Sequence, residues 1–402
     1  MTEKTYTQTD RQTDRQTDRQ TDRQTDRQTD RQTGRRPRNS SLELLRIIAM
    51  LVIITHHFGV HGVFHVLEPA KSIFHVDMFS WQFAFTQLIN WGGSMGNAIF
   101  ILITGYFMVN RSVNGKKIVL LLLAMFFYDW LIEAVVYGGN FLPPTFKGVL
   151  RESLPILFSG NWFVSCYIIF SLFIPFENLF LSHLTKGQYQ AFLALFFLCY
   201  SVLPTVKVVT FFSNAPILFF AFVYAIGGYL RLHGASLLVE GQHKRYLRCF
   251  LAMVLLLLVS ILAFDAVGLL LHKDVFLKGS AHLAMILNIP LAVSLFLYFL
   301  TRPYFFSAMI NRIAGTVLGI YLIHDNNLMR TLIWDYIFPN LDYIHSSYYV
   351  LFYIGKVFAV FAICSIVELL RKRYVERPLS AALDRCWPSL RRAACAVWAR
   401  RG

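Results

Sequence analysis

A chain of 402 residues that is 56% hydrophobic and 16% aromatic, with a mean hydropathy of +0.49, is not a soluble globular protein. Apolar runs of the ~20 residues that cross a bilayer recur along it. A formal charge of +15 would point to nucleic acid in a soluble chain. Here it is the excess of Lys and Arg that gathers in cytoplasmic loops and tails, so no nucleic-acid partner is expected. The six Cys (Cys166, Cys199, Cys249, Cys364, Cys386 and Cys395) are scattered without a C-x-x-C pair, so no disulfide framework is expected either.

Residues 1–39 are low complexity, with Gln-Thr-Asp-Arg repeated six times over 8–31. The unit has no apolar side chain to bury, so the tail is expected to be disordered. A tetranucleotide ACAG tract encodes Thr-Asp-Arg-Gln in every reading frame, which makes the repeat a candidate for phase-variable expression, although a neutral spacer explains the protein equally well. No A-x-A-like site follows, so no cleavable signal peptide is expected.

Ten apolar spans are predicted, at about 42–60, 86–109, 117–137, 160–182, 188–204, 210–231, 247–272, 280–301, 313–338 and 347–370. With the N-terminus inside, the inner loops and tails carry Arg35, Arg36, Arg38, Arg111, Lys116, Lys117, Lys186, Arg231, Lys244, Arg245, Arg248, Arg302, Arg312, Arg371, Lys372 and Arg373. The outer loops carry only Lys71, Lys147, Arg151, Lys207, Lys273 and Lys278. That bias places both termini in the cytoplasm. The expected fold is an all-α polytopic membrane protein of about ten transmembrane helices in the plasma (inner) membrane. A disordered tail (1–39) precedes a ten-helix membrane domain (40–378). A basic cytoplasmic tail (379–402) follows, with the Trp and Arg content of an interfacial helix.

The first span, SSLELLRIIAMLVIITHHFGVH (40–61), carries the polar residues that matter most. Ser40 and Glu43 have capping-box spacing. Arg46 and His57 are eleven residues apart, hence on one helical face and roughly 16 Å apart along the axis. An Arg and a His inside a membrane are functional candidates by default. The second span is interrupted by Gly92, Gly93 and Gly96 and carries Asn97; helix packing is the plainer reading of the glycines. Asp129 and Glu133 share a face of the third span, and the ninth holds GIYLIHDNN (319–327), with His324 and Asp325 near its middle. Glu368 is expected to pair with Arg371 or Lys372 near the inner surface. His56, His57, His61 and His65 form a cluster in which His57 and His61 have ligand spacing. No H-E-x-x-H or Cys set accompanies them, so no metal site is expected.

In order along the chain these features resemble the acyltransferase-3 family of bacterial integral membrane acyltransferases, which includes O-acetyltransferases of surface polysaccharides. ELLRIIAMLVIITHH is similar to the family's opening helix, its Arg-x10-His pair falling on Arg46 and His57 and its acidic residue on Glu43. IFILITGYFM (99–108) is similar to the F-x-x-S-G-[FY] stretch, with Thr104 in place of Ser. Trp162, Phe163, Tyr167 and Pro175 match a W-F-x-x-x-Y…P pattern, and GIYLIH (319–324) is a further match. Where many members have an Arg-x-x-Arg pair entering the third span, this chain has Arg111 and then Lys116 and Lys117, which keep the charge but lose the bidentate fork.

The resemblance implies transfer of an acyl group, acetyl being the expected one, from acetyl-CoA or another acyl-CoA to a hydroxyl of a cell-surface or lipid-linked polysaccharide. A sugar hydroxyl needs a general base, and His57 suits that role, or that of an acyl-carrying nucleophile. Arg46 and Glu43 would shape the site, while Arg111, Lys116 and Lys117 would hold CoA phosphates unless they are ordinary inner-face charges. Asp129, Glu133, His324 and Asp325 are candidates to orient His57 as a carboxylate does in a triad. A secondary transporter or flippase for a saccharide or lipid-linked substrate would also use buried charges and glycine-broken helices. A sensory or structural protein would use the same residues as helix glue.

Overall fold

The computed structural model describes residues 39–65, 80–158, 160–205, 215–271 and 281–399, with side chains from 283 and up to 389 in the last stretch. The repeat tail and the loop residues Lys71, Lys207, Lys273 and Lys278 of the charge-bias argument lie outside them. All regular structure in the described residues is helical.

In chain order the helices are α1 (Ser40–Gly62), α2 (Trp81–Asn90), α3 (Gly93–Met108), α4 (Gly115–Gly138), α5 (Phe146–Ser153), α6 (Pro155–Phe158), α7 (Trp162–His183), α8 (Lys186–Phe197), α9 (Pro216–His233), α10 (His243–Leu271), α11 (Ala281–Leu300), α12 (Ala308–Ala314), α13 (Val317–His324), α14 (Asn327–Thr331), α15 (Tyr349–Arg371) and α16 (Arg377–Ala399). Among the described residues, seven helical stretches are long and apolar enough to cross a membrane: α1, α4, α7, α9, α10, the Leu283–Leu300 part of α11, and the Tyr349–Ser389 stretch that runs from α15 through a π turn into α16.

The three remaining predicted spans are helical but divided. Segment 86–109 breaks after Asn90, and 188–204 passes through a π turn (Leu198–Val202). Segment 313–338 is split into α12, α13, α14 and a further π turn. The physical reason is polar backbone chemistry. Asn90 gives up its carbonyl where Trp91 and Gly92 turn, and the His56 ring meets that carbonyl through Nδ1 at 2.5 Å. Asn326 caps α14 by accepting from the backbone amides of Leu328 (3.0 Å) and Met329 (3.3 Å), so α13 ends at His324 and the polar run leaves the helix. Irregular backbone at membrane depth survives only where side chains satisfy it in this way.

The start of α1 differs from the capping-box expectation. Asn39 is the cap, accepting from the Ser41 amide at 3.0 Å. Ser40 instead ties α1 to α12, donating to Asn311 Oδ1 (2.8 Å) and accepting from the Ser307 amide (2.8 Å). Glu43 turns to Arg46.

The glycines set the spacing of the inner helices. Gly96 of α3 rests on the Ala49 carbonyl and Ile53 of α1, and Gly93 on the His56 ring. Further along α3, Gly105 lies against the Tyr224 carbonyl of α9, and Gly227 of α9 lies against the Leu102 carbonyl of α3. Small residues allow this backbone contact, so the packing reading of the glycines holds. The outer helices expose apolar side chains: Leu251, Leu255, Leu256, Val259 and Leu262 on α10, and Leu172, Phe173 and Phe176 on α7. An apolar face of that extent suits lipid, and the molecule is a multi-pass membrane protein.

Candidate active site

Three cavities follow one another along α1. The first, of about 1030 Å³, is lined by Asn39, Glu43, Arg46, Arg111, Asn114 and Lys117 among others and is the basic cavity. The second, of about 370 Å³, shares Arg46, Thr104, Lys117, Leu121 and Tyr167 with the first and runs on to Phe163, Tyr321 and Asn97. The third, of about 480 Å³, is lined by His56, His57, His61, Ser94, Asn97, Trp162, Tyr200, Asn288 and Arg330, with apolar residues between them. Arg46 and His57 therefore border different cavities, one toward each end of α1.

His57 is 8% exposed and sits at the break between α13 and α14. Its Nδ1 lies 3.0 Å from His324 Nε2 and 3.3 Å from Asp325 Oδ1. The proton positions follow from the far end of this chain. His324 Nδ1 is 2.6 Å from the Ile320 carbonyl, which only accepts, so Nδ1 carries the proton. A neutral His324 then offers Nε2 as acceptor, and His57 must donate to it from Nδ1. That leaves His57 Nε2 as the lone-pair nitrogen. The second ring thus fixes the tautomer that a general base needs, a task a carboxylate performs in the Ser-His-Asp arrangement.

Asp325 is fully buried, and Arg330 balances its charge through Nε at 2.9 Å and a terminal nitrogen at 2.7 Å, both on Oδ1. Arg330 also donates to Asn327 Oδ1 at 3.3 Å. From there the network continues. Asn327 donates to Glu152 Oε1 at 3.0 Å, and Asn326 donates to Asp129 Oδ1 at 2.8 Å and weakly to Glu152 Oε2 at 3.4 Å. Asn161 donates to the same Asp129 oxygen at 2.8 Å. Burial holds the Glu152 carboxyl above its ordinary range, with the Asn327 hydrogen bond opposing.

Of the four residues considered as orienters of His57, His324 and Asp325 touch it. Asp129 holds Asn161 and Asn326, and Glu133 accepts from Ser153 at 3.1 Å. Glu43 pairs with Arg46 through both carboxylate oxygens at 2.9 Å, which leaves the rest of the guanidinium to the cavities. Arg111 and Lys117 line the basic cavity, whereas Lys116 turns to Asp384 of α16 at 2.6 Å. Glu368 is fully buried and takes Arg371 (2.7 and 2.9 Å) and the Tyr128 hydroxyl (2.6 Å), with Lys372 farther off at 3.9 Å.

His57, His61 and Asp325 bring ligand atoms within 4.8 Å of one another. Arg330 occupies Asp325 Oδ1 and His324 engages His57 Nδ1, while Asp325 Oδ2 has no hydrogen-bond partner among the described residues. Arg330 went unnoticed in the sequence. The signal was there: an Arg inside the ninth apolar span, five residues after Asp325, needs a buried partner.

The profile of the family described as Acyltransferase domain, the acyltransferase-3 family, matches residues 39–369. The chain belongs to the acyltransferase-3 family. No curated protein and no solved structure matches it. The matched stretch holds every residue of the three cavities and stops before α16. It makes the chain a membrane acyltransferase. His57 borders the third cavity, while Arg46 borders the first two.

Proposed function

We propose that this acyltransferase moves an acyl group, acetyl in the simplest case, from cytosolic acyl-CoA to a hydroxyl of a cell-surface or lipid-linked polysaccharide. The carrying observation is His57: its Nδ1 side is taken by His324 and Asp325, and it borders a cavity that leads away from the basic one. Arg46, Arg111 and Lys117 would meet the phosphates of CoA in the basic cavity, and the acyl thioester would lie along the middle one. The acceptor hydroxyl would enter the third cavity, where Trp162 and Tyr200 offer flat faces to a sugar ring. His57 Nε2 takes the hydroxyl proton as the oxygen attacks, then returns it to the leaving thiolate.

The protein would work in the plasma membrane with both termini in the cytoplasm. The three divided helical segments would complete ten crossings with the seven long helices. The Lys and Arg bias of the loops supports that orientation. A transporter or flippase would also fit the divided helices, but it has no use for a histidine pair with a fixed tautomer.

Everted vesicles from cells carrying the gene, supplied with radiolabelled acetyl-CoA, separate the two. Base-labile label in the endogenous glycan fraction, absent from a deletion strain, is the expected result. Equal labelling in the deletion strain removes the acyltransferase from this reaction.

A further inference from the structure

We propose that Asn97 is a further catalytic residue, its carboxamide donating a hydrogen bond to the acyl carbonyl oxygen as that oxygen becomes an oxyanion. The assignment rests on the proposal above that an acyl thioester is attacked by a hydroxyl beside His57. Among the described residues, Asn97 alone borders both the middle cavity and the histidine cavity. A donor lying in one cavity and an acceptor lying in the other would exchange a bond at the wall the two share, and Asn97 is the residue of that wall.

Its placement is fixed by its neighbours on α3. Gly93 sits on the His56 ring and Gly96 on the Ala49 carbonyl and Ile53, so this face of α3 adds no side chain of its own and is pressed closely onto α1. Asn97 follows Gly96 directly and lies one turn beyond Gly93, and it shares the middle cavity with Ile53 and the third with His57. Its Oδ1 is buried and has no hydrogen-bond partner among the described residues. Were Asn97 helix glue, its amide would be bonded across the interface, and no such bond is present among the described residues. A buried amide oxygen left unpartnered in a partly exposed side chain asks for a ligand. The carboxamide has a donor end and an acceptor end of nearly the same shape, and a bound carbonyl selects the donor end.

The step balances. The acceptor oxygen bonds to the carbonyl carbon while its proton passes to His57 Nε2 and the carbonyl electron pair moves onto oxygen. Collapse restores the carbonyl, breaks the carbon–sulfur bond, and returns the proton from His57 to the thiolate. Asn97 hydrogen-bonds the oxygen while it carries the charge, so its contribution falls on the transition state.

The test measures base-labile label from radiolabelled acetyl-CoA in everted vesicles holding wild type, His57→Ala, Asn97→Ala or Asn97→Asp. Each is scored per amount of protein that elutes as a folded species after detergent extraction. Asn97→Asp keeps the shape and removes the donor, so it guards against a packing effect. In both Asn97 variants kcat should fall about 10²–10³-fold while KM for acetyl-CoA stays within about threefold. A kcat within about threefold of wild type, or a loss confined to KM, overturns the assignment. If His57→Ala labels as well as wild type, the His57 mechanism falls and this assignment falls with it. If His57→Ala is inactive and both Asn97 variants are not, only the Asn97 assignment falls.

Discussion

At the scale of single residues, the site is a set of commitments that leaves one nitrogen free. The Ile320 carbonyl fixes His324, His324 and Asp325 fix His57, and Arg330 fixes Asp325. The Asp325–Arg330 pair is nearly dry, with side chains 0% and 14% exposed. Removing one partner of such a pair strands the other charge. Asp325→Ala is therefore expected to lose about 3–5 kcal/mol of stability, and Asp325→Ala with Arg330→Ala to recover part of it. Thermal midpoints in detergent check this, and a single variant as stable as wild type would contradict it. The adjacency of His324 and Asp325 could be read from the sequence. Their contact with His57 could not, because it depends on where α13 ends, and residue spacing alone does not show that Asn326 caps the next helix.

At the scale of elements, two devices carry the fold: helices divided where polar side chains satisfy the backbone, and glycines that bring α3 against α1 and α9. A Cβ on Gly227 would come within 2.5 Å of the Leu102 carbonyl and 2.8 Å of the Tyr106 amide, both backbone. Gly227→Ala should therefore cost about 1–3 kcal/mol, as overpacking does. Gly187→Ala, with nothing within 4 Å, is the matched control and should leave the midpoint unchanged. Glu152 makes a prediction of the opposite sign. Its carboxyl is held above the ordinary range by burial, so its ionisation opposes folding as pH rises through the folded-state value. Glu152→Gln should keep or raise the midpoint at neutral pH and weaken the fall in stability between acid and neutral buffer; a lower midpoint at both would contradict this. The sequence showed these segments as apolar and helical, but hydropathy averages over a window and cannot register a break made by Asn90 or Asn326.

At the scale of the molecule, charge is distributed along the row of cavities. Arg46, Arg111 and Lys117 lie at one end and the histidines at the other, with Asn97 bordering both the second and the third cavity. Composition was enough to read a membrane protein, and the Arg46–His57 spacing enough to suggest an axis across it. The cavities themselves were not legible, since each is walled by helices distant in sequence. The repeat at 8–31 lies outside the described residues, and its prediction belongs to the gene. If the tract is a slippage switch, its length should vary among single colonies, and the glycan acetyl content with it. One fixed length throughout would end that idea.

The account turns on His57 as the base. The measurement that tests it most directly is the O-acetyl content of the surface polysaccharide, by NMR, in a deletion strain complemented at matched membrane levels with wild type, His57→Ala or His183→Ala, the last an exposed histidine bonded only within α7. Wild type and His183→Ala should restore the acetyl signal, and His57→Ala should leave it at least about 10²-fold lower. Full restoration by His57→Ala would contradict it.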